Sequence, residues 1–274
     1  MFTKILVQLD PSRPLLKAPR AARAIAEKTD AALYALYIVD EKITGILGAD
    51  LIVAMDTALE SVAEEALEQY AQSVAERVNT TKAIGYGDTS ETIAKYVIRH
   101  QVDLVVTGGF HAAVYQRIPF GSIVNEIIRK TPASVLLYRD THHDPLRSGP
   151  IVFAYDGSPG SRRALHQAAA FAEMWGGRLE VVHVYNRGRR NQADALLSEV
   201  AATADRLKVP VTTTALPRPV IGSRARPILK HAKAVDATTV SLSSKGSRTT
   251  FAGLSPIVEH LVIHTDRPLL VIHS

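Results

Sequence analysis

Short apolar runs alternate along the chain with longer segments in which apolar residues recur every three or four positions. Runs such as ALYALYIV and SVLLY lack polar alternation, which is typical of parallel strands buried on both faces. The segments between them, such as 17–28 and 50–78, carry apolar residues at helical spacing. This alternation predicts an α/β fold with helices on both faces of a parallel sheet. The predicted strands of the first half are Lys4–Leu9, Ala32–Val39, Lys82–Tyr86, Leu104–Thr107 and Ala133–Tyr138.

The same order of elements starts again near residue 150, which indicates an internal duplication. Asp10 and Asp156 stand at the same place, after the first strand of each copy. The second helix of the second copy, about 191–207, is shorter than its counterpart. We therefore predict two domains, 1–140 and 150–274, joined by the polar, proline-containing linker 141–149. The corresponding segments are 4–10 and 150–156, 17–28 and 161–175, 32–39 and 178–185, and 133–138 and 267–272.

Composition narrows the classes of function. The 274 residues include no cysteine, which excludes disulfides, thiolate catalysis and cysteine-bound zinc, and fits a cytoplasmic location. No apolar run reaches the length of a membrane span, so we expect no membrane partner. Residues 1–140 hold 15 Lys+Arg and 17 Asp+Glu (15 − 17 = −2), whereas residues 141–274 hold 17 and 10 (17 − 10 = +7).

The basic second half leaves two interpretations open. It could bind an anionic partner, or its arginines could be separate solvent-exposed charges on loops and helices, which is the interpretation that we prefer. No helix-turn-helix, zinc-finger or RRM-type motif accompanies them, so nucleic acid is not an expected partner. The arginines concerned are Arg187, Arg189, Arg190, Arg218, Arg224 and Arg226.

The segment 103–122 combines a buried strand, a glycine turn and a returning helix. The turn is Gly108-Gly109, and Gly121-Ser122 opens the helical pattern IVNEIIRK. A helix N-terminus after a glycine loop offers backbone N–H groups to a phosphate. The glycines could equally be turn residues without a ligand.

Catalytic and metal-binding patterns are not recognisable. DGSPGS lacks the G-x-S-x-G arrangement of a hydrolase nucleophile. His142-His143 and the pair His260 and His264 have no carboxylate at a metal-site spacing. Asp10 and Asp156 are single carboxylates at strand ends, and each could be a ligand contact or a turn-closing group. We therefore expect neither an enzyme nor a metal protein.

At this point the chain resembles the universal stress protein family, as a tandem member with two domains. In the second half the resemblance rests on IVFAYDGSPGSRRAL and LEVVHVY. In the first half it rests on KILVQLD, GYGDTSETIAKYV and VDLVVTGG…GSIVNEIIRKTPASVLLY. The resemblance implies that each domain is a doubly wound five-stranded parallel sheet of order 3-2-1-4-5. It also implies that ligands bind at the C-terminal strand ends, where this order switches.

Nucleotide-binding members of that family carry a Gly-x2-Gly-x9-Gly-Ser/Thr phosphate loop. They add an aspartate after strand one and an aliphatic residue at the end of strand two, both near the adenine. For the first domain, the resemblance implies a site made of Asp10, Ile38, Gly108, Gly121 and Ser122.

One position of the first-domain loop departs from the family pattern. His111 stands where the second glycine is expected. A Cβ there matters where the backbone approaches a phosphate closely. The imidazole could also supply positive charge, or it could fill the space of a ligand.

The second domain departs further from the pattern. The implied site residues are Asp156, Val184 and Gly246, but Ser243 replaces the first glycine and Ser255-Pro256 replaces Gly-Ser. The loop is also one residue short, and Pro256 has no N–H to offer a phosphate. The resemblance therefore implies ATP, or a related adenine nucleotide, in the first domain rather than the second.

Three functions remain open at this stage. The first is a non-catalytic, nucleotide-binding stress or regulatory protein. The second is a scaffold without nucleotide that acts through self-association. Pairing of domains through their fifth strands, which the family resemblance implies, could occur within the chain or in a homodimer. The third is a slow ATPase or hydrolase, supported only by analogy of fold.

Overall fold

The structure, a computed structural model, describes residues 1–9, 17–39, 49–108, 121–139, 147–246 and 254–274, with side chains of the helix 49–73 from Glu60 onward. The chain divides into two compact units, Phe2–Asp140 and Thr141–Ser274. None of the described helices is long and apolar enough to cross a bilayer.

Strands and helices alternate throughout the first unit. The apolar runs form strands because their side chains are covered on both faces, and β4 and β5 are buried at every position. Its elements are β1 (Lys4–Gln8), α1 (Lys17–Thr29), β2 (Ala32–Val39), α2 (Ala49–Ser73), β3 (Thr80–Tyr86), α3 (Thr89–His100), β4 (Leu104–Thr107), α4 (Ser122–Lys130) and β5 (Ser134–Leu137).

All five described strands of this unit pair in parallel, in the order β3-β2-β1-β4-β5. Strand β1 lies in the middle, with Ile5 opposite Leu33 of β2 on one side and opposite Leu104 of β4 on the other. The predicted fold and strand order are confirmed for this unit.

The second unit repeats this arrangement, with the order β8-β7-β6-β9-β10. The central strand is β6, so the order of the first unit recurs and the prediction of two tandem α/β domains is confirmed. Its elements are β6 (Pro150–Ala154), α5 (Pro159–Met174), β7 (Arg178–Tyr185), α6 (Arg190–Ala201), a short 3-10 helix (Ala204–Leu207), β8 (Val211–Pro217), α7 (Ala225–Ala234), β9 (Thr239–Ser243), α8 (Pro256–His264) and β10 (Leu269–Ile272).

Two helix boundaries differ from the sequence prediction. Helix α2 ends at Ser73 rather than at Val78. Its last carbonyls are already satisfied, because Arg23 Nη1 donates to Ser73 O (2.8 Å) and Ser73 Oγ donates to Tyr70 O (2.6 Å). The buried side chains of Val74 and Val78 continue the apolar pattern past this point, which explains the error.

In the segment GDTSETIAKYV the sequence pattern predicts Ser90 or Thr89 as a helix N-cap, but the N-cap of α3 is Asp88. Asp88 Oδ1 accepts from the backbone N–H groups of Ser90 (3.0 Å) and Glu91 (3.1 Å). The Ser90 hydroxyl contacts both this N-cap and Glu126 of α4.

Candidate functional site

The strand order of the first domain switches at β1, because β2 lies on one side of it and β4 on the other. In such a sheet the C-terminal ends of these strands form a crevice that binds ligands. Thr107 Oγ donates to Gln8 Oε1 across this crevice (3.2 Å). Asp10 and His111, two of the residues implied for the site, lie outside the described residues.

Gly108 follows β4 at this edge and does not have the left-handed backbone that requires glycine. A Cβ at this position would meet Ala18 Cβ at 3.5 Å and Tyr138 O at 3.6 Å, which are ordinary contacts. Folding therefore tolerates a methyl group here, so a requirement for glycine would have to come from a ligand.

Gly121 is the N-cap of α4 and has a left-handed backbone, with φ 88° and ψ −9°. It has no side chain with which to cap the first N–H groups of the helix. Glycine is required here by conformation, because other residues are strained at this φ.

Two polar atoms at the start of α4, Ser122 Oγ and Asn125 Oδ1, are buried with no hydrogen-bond partner among the residues that the structure describes. Buried polar atoms in native proteins are nearly always paired, so such atoms call for a missing partner. Ser122 was implied by the family resemblance. Asn125 was not, although its place one turn after Ser122 in the helical pattern could have suggested it.

Ile38, implied for the adenine contact, lies near the C-terminal end of β2 and is half-buried. It faces Gly85 of β3 in the register of the sheet. The structure thus places Ile38 near the C-terminal end of β2 and Gly108 directly after β4, while Ser122 is the first residue of α4.

A polar cluster beside α4 links it to the start of α3. Ser90 is 1% exposed, and its Oγ lies 2.7 Å from both Asp88 Oδ1 and Glu126 Oε2. Lys130 Nζ donates to Ser90 Oγ (2.9 Å) and to Glu126 Oε2 (3.2 Å). The hydrogen bond from Ser90, assisted by Lys130, lowers the pKa of Glu126 below its usual value. The cluster fixes the position of α4 and so of its N-terminus.

In the second domain, a cavity of about 110 Å³ occupies the corresponding crevice at the ends of β6, β7 and β9. Ligand pockets for molecules of drug size measure about 300–1,000 Å³, so this cavity suits a few atoms rather than a nucleotide. The sequence interpretation missed His183 and Arg224 here, since only the fold brings them to Asp156. The lining includes Asp156, His183, Val184, Arg224, Ser243 and Gly246.

Asp156 closes a turn at the edge of this cavity. Its Oδ1 accepts from Ser158 N at 3.0 Å, and Ser158 in turn caps α5. A Cβ on Gly246 would lie 2.9 Å from Asp156 Oδ2, so a larger residue there would require the carboxylate to shift. Asp156 therefore has the turn-closing contact that was one of its two interpretations.

The loop after β9 is bonded to its own domain. Ser243 Oγ lies 2.8 Å from Lys245 O and 2.6 Å from Ser274 Oγ, and Lys245 N donates back to Ser243 Oγ at 3.2 Å. Helix α5 approaches so closely that a Cβ on Gly160 would be 2.4 Å from Lys245 O. This packing takes up space beside the loop.

The start of α8 is also satisfied internally. Ser255 is the N-cap, and its Oγ accepts from Ile257 N at 3.4 Å. Pro256 is the first helical residue and has no N–H. Compared with Gly121-Ser122 in the first domain, this helix start offers fewer donors to an anion.

The interpretation of the arginines as separate solvent-exposed charges stays a prediction, although Arg218 and Arg224 share one hydrogen-bond acceptor. Their Nη1 and Nη2 atoms lie 3.5 Å and 2.9 Å from one acceptor, Asn186 Oδ1, which joins two loops at the ends of β7 and β8. Arg190 instead pairs with Asp194 at 2.9 Å and lies over the Tyr185 ring.

The rings of His260 and His264 lie 4.2 Å apart on α8. Burial, with the nearby His264 and Arg226, lowers the pKa of His260. Among the residues that the structure describes, no group of three or more His, Asp or Glu side chains is arranged to hold a metal ion.

Comparison with known proteins assigns the chain to a class. The model of the Universal stress protein family matches it twice, over residues 1–139 and 148–273. The chain belongs to the universal stress protein family, as a tandem member. Universal stress protein MJ0531 of Methanocaldococcus jannaschii is 25% identical over 143 residues, which cover 51% of this chain and 83% of that protein.

Solved structures support the same fold over the whole chain. A universal stress protein from Archaeoglobus fulgidus DSM 4304 has a TM-score of 0.72 at 20% identity, covering 98% of this chain and 97% of its own. A protein from Pseudomonas aeruginosa UCBPP-PA14 has a TM-score of 0.70 at 18% identity, with 99% and 93% covered.

Proposed function

We propose that this chain is a cytoplasmic, non-catalytic stress-response protein that binds ATP or a related adenine nucleotide in its first domain. The observation that carries the proposal is the start of α4. Gly121 gives its first N–H groups no side-chain cap, and Ser122 Oγ and Asn125 Oδ1 are buried with no hydrogen-bond partner in the described part of the chain. A phosphate would accept from the N–H groups and from the Ser122 hydroxyl, and a ribose hydroxyl would donate to Asn125 Oδ1. The helix dipole favours an anion there.

The remaining contacts of the proposed site follow from the strand ends. Gly108 lets the backbone approach a phosphate, and Ile38 supplies an apolar surface for the adenine ring. Asp10 would contact the adenine, and His111 would lie near the phosphates. We propose no site of this kind in the second domain, because its cavity is small and its loop is bonded internally.

A second candidate function is a scaffold without nucleotide that works by self-association, either between domains or as a homodimer. The internally satisfied loop of the second domain favours it, since Ser243 and Ser255 already have hydrogen-bond partners. Under this alternative, His111 would fill the space of a phosphate in the first domain.

Titration with Mg-ATP separates the two candidates. We expect ATP to raise the melting temperature of the purified chain, because a ligand at 100 times its Kd stabilises the native state by about 2.7 kcal/mol. Gly108→Ala should reduce ATP affinity about tenfold, or 1.4 kcal/mol. The ligand-free melting temperature should stay unchanged or rise slightly, since the new methyl fits and alanine restricts the unfolded chain.

Gly246→Ala is the matched control in the second domain. It should leave ATP affinity unchanged, although its Cβ would press on Asp156 Oδ2. Absence of any thermal shift for the unmodified chain at millimolar Mg-ATP would exclude nucleotide binding and leave the scaffold. Equal ATP affinity of the unmodified chain and Gly108→Ala would place the nucleotide elsewhere.

His111→Gly tests the departure from the family loop. We expect it to increase ATP affinity, because glycine restores the freedom of the backbone to approach a phosphate. Isothermal titration calorimetry of the two proteins measures the change directly. A weaker affinity would mean instead that the imidazole contributes to binding.

A further inference from the structure

A loop in the second domain presents two apolar side chains to solvent between arginines. We call residues 218–224, which connect β8 to α7, the arginine loop. Val220 and Ile221 at its tip are 81% and 83% exposed. Gly222 follows them with a φ of +106°, a left-handed conformation that turns the chain back toward α7. The tip is therefore a convex apolar surface.

Hydrogen bonds hold the arginine loop at its base. Arg218 N donates to Tyr185 O at 2.8 Å, and the guanidinium groups of Arg218 and Arg224 meet at Asn186 Oδ1. The exposure of Val220 and Ile221 is thus a property of a fixed turn. Large aliphatic side chains with so much exposure on a held loop indicate a surface that contacts a partner.

The first domain carries a groove of opposite charge. It lies between α2 and β3 and has a volume of about 590 Å³. Glu68 pairs with Lys82, while the exposed side chains of Glu64 and Glu65 leave the rim negative. Its lining includes Glu64, Glu65, Leu67, Glu68, Ala83 and Ile84.

We propose that the chain associates with a second copy of itself, with the arginine loop of one copy seated in the α2–β3 groove of the other. Val220 and Ile221 would contact Ala83 and Ile84, and the exposed Arg218 would face Glu64 and Glu65. Shape and charge both match, since a convex basic loop with an apolar tip meets a concave acidic groove with apolar lining. The net charges of the two halves, 15 − 17 = −2 and 17 − 10 = +7, agree with this pairing.

This contact stands apart from nucleotide binding and differs from pairing of fifth strands. Each copy has one arginine loop and one such groove, so the contact is head-to-tail and produces rings or open chains. One loop in one groove buries little area, and its charged rim is exposed to salt. The association is therefore weak and salt-sensitive.

Sedimentation velocity with complementary variants tests the proposal. The double variant Val220→Asp/Ile221→Asp prevents the arginine loop from entering a groove. The double variant Glu64→Lys/Glu65→Lys prevents the groove from accepting a loop. Each variant alone should associate at least about tenfold more weakly than the unmodified chain. An equimolar mixture should form a one-to-one pair, because the intact loop of the groove variant meets the intact groove of the loop variant.

Two control variants and a change in salt concentration complete the experiment. Ile98→Asp places a charge at another exposed aliphatic residue (63% exposed), and Glu76→Lys reverses an exposed charge outside the groove; both should associate like the unmodified chain. Raising salt from about 0.1 M to about 1 M shortens the Debye length from about 10 Å to about 3 Å and should dissociate the complex. Circular dichroism verifies that each variant is folded.

Three outcomes would overturn the proposal. The unmodified chain could sediment as a monomer at every concentration. The mixed variants could remain as dissociated as each alone. The unmodified chain could instead bind vesicles of anionic phospholipid through Val220 and Ile221 without self-association, which would assign the arginine loop to a membrane surface.

Discussion

Replacing Phe153 by alanine is expected to lower the free energy of unfolding of the second domain by about 3–5 kcal/mol. Phe153 is fully buried on β6, the central strand, between Val181 of β7 and Ser241 of β9 in the register. Removal of the ring loses its transfer free energy and leaves a cavity that the flanking parallel strands cannot close.

The duplication supplies a matched variant for this measurement. Val7 occupies the equivalent position on β1 and is also fully buried. Val7→Ala should lower the free energy of unfolding by less, because each buried methylene-sized group contributes about 0.8 kcal/mol and this variant removes fewer such groups. Native-state hydrogen exchange resolves the domains: Phe153→Ala should accelerate exchange in β6, β7 and β9, and Val7→Ala in β1, β2 and β4. A loss below about 1 kcal/mol for Phe153→Ala would contradict the tight packing.

Gly160→Val is expected to destabilise the second domain by about 1–3 kcal/mol through overpacking. The Cβ would lie 2.4 Å from the Lys245 carbonyl and 2.9 Å from Ser274 Oγ, and a backbone atom cannot rotate away as a side chain can. The displaced loop would also lose the contacts of Ser243 Oγ with Lys245 O and Ser274 Oγ.

Chemical denaturation with a domain-specific probe measures this loss. Trp175 at the end of α5 reports on the second domain through its fluorescence, as the one tryptophan of the chain. Equal stability of Gly160→Val and the unmodified chain would show that α5 shifts away from the loop at no cost.

The fold class could be predicted from the sequence because each strand has a local apolar signal and the same order of elements occurs twice. Buried parallel strands appear as unbroken apolar runs, such as β4 and β5, and every strand of the first domain recurs in the second. The strand order came from family resemblance rather than from periodicity. Helix ends were less predictable, since the end of α2 depends on Arg23, about fifty residues away in the chain.

The candidate site was only partly predictable for the same reason. Ile38, Gly108, Gly121 and Ser122 were implied by the family resemblance, but the lack of a described partner for Asn125 Oδ1 is visible only in three dimensions. In the second domain, His183 and Arg224 reach the cavity through β7 and the loop after β8, and no spacing in the sequence joins them to Asp156.

Because its loop is bonded internally, the second domain can serve as an internal reference for measurements of nucleotide binding by the first domain. A ligand shifts a conformational equilibrium only as far as it binds the two states with different affinity. The hydroxyl groups of Ser243 and Ser255 already have hydrogen-bond partners, so an anion would gain few new hydrogen bonds from them. During a nucleotide titration, the first domain would change its amide protection while the second kept a constant value. The ratio of protection between equivalent strands, β1 and β6 for example, would then report occupancy within one polypeptide, independent of how much protein is in the sample.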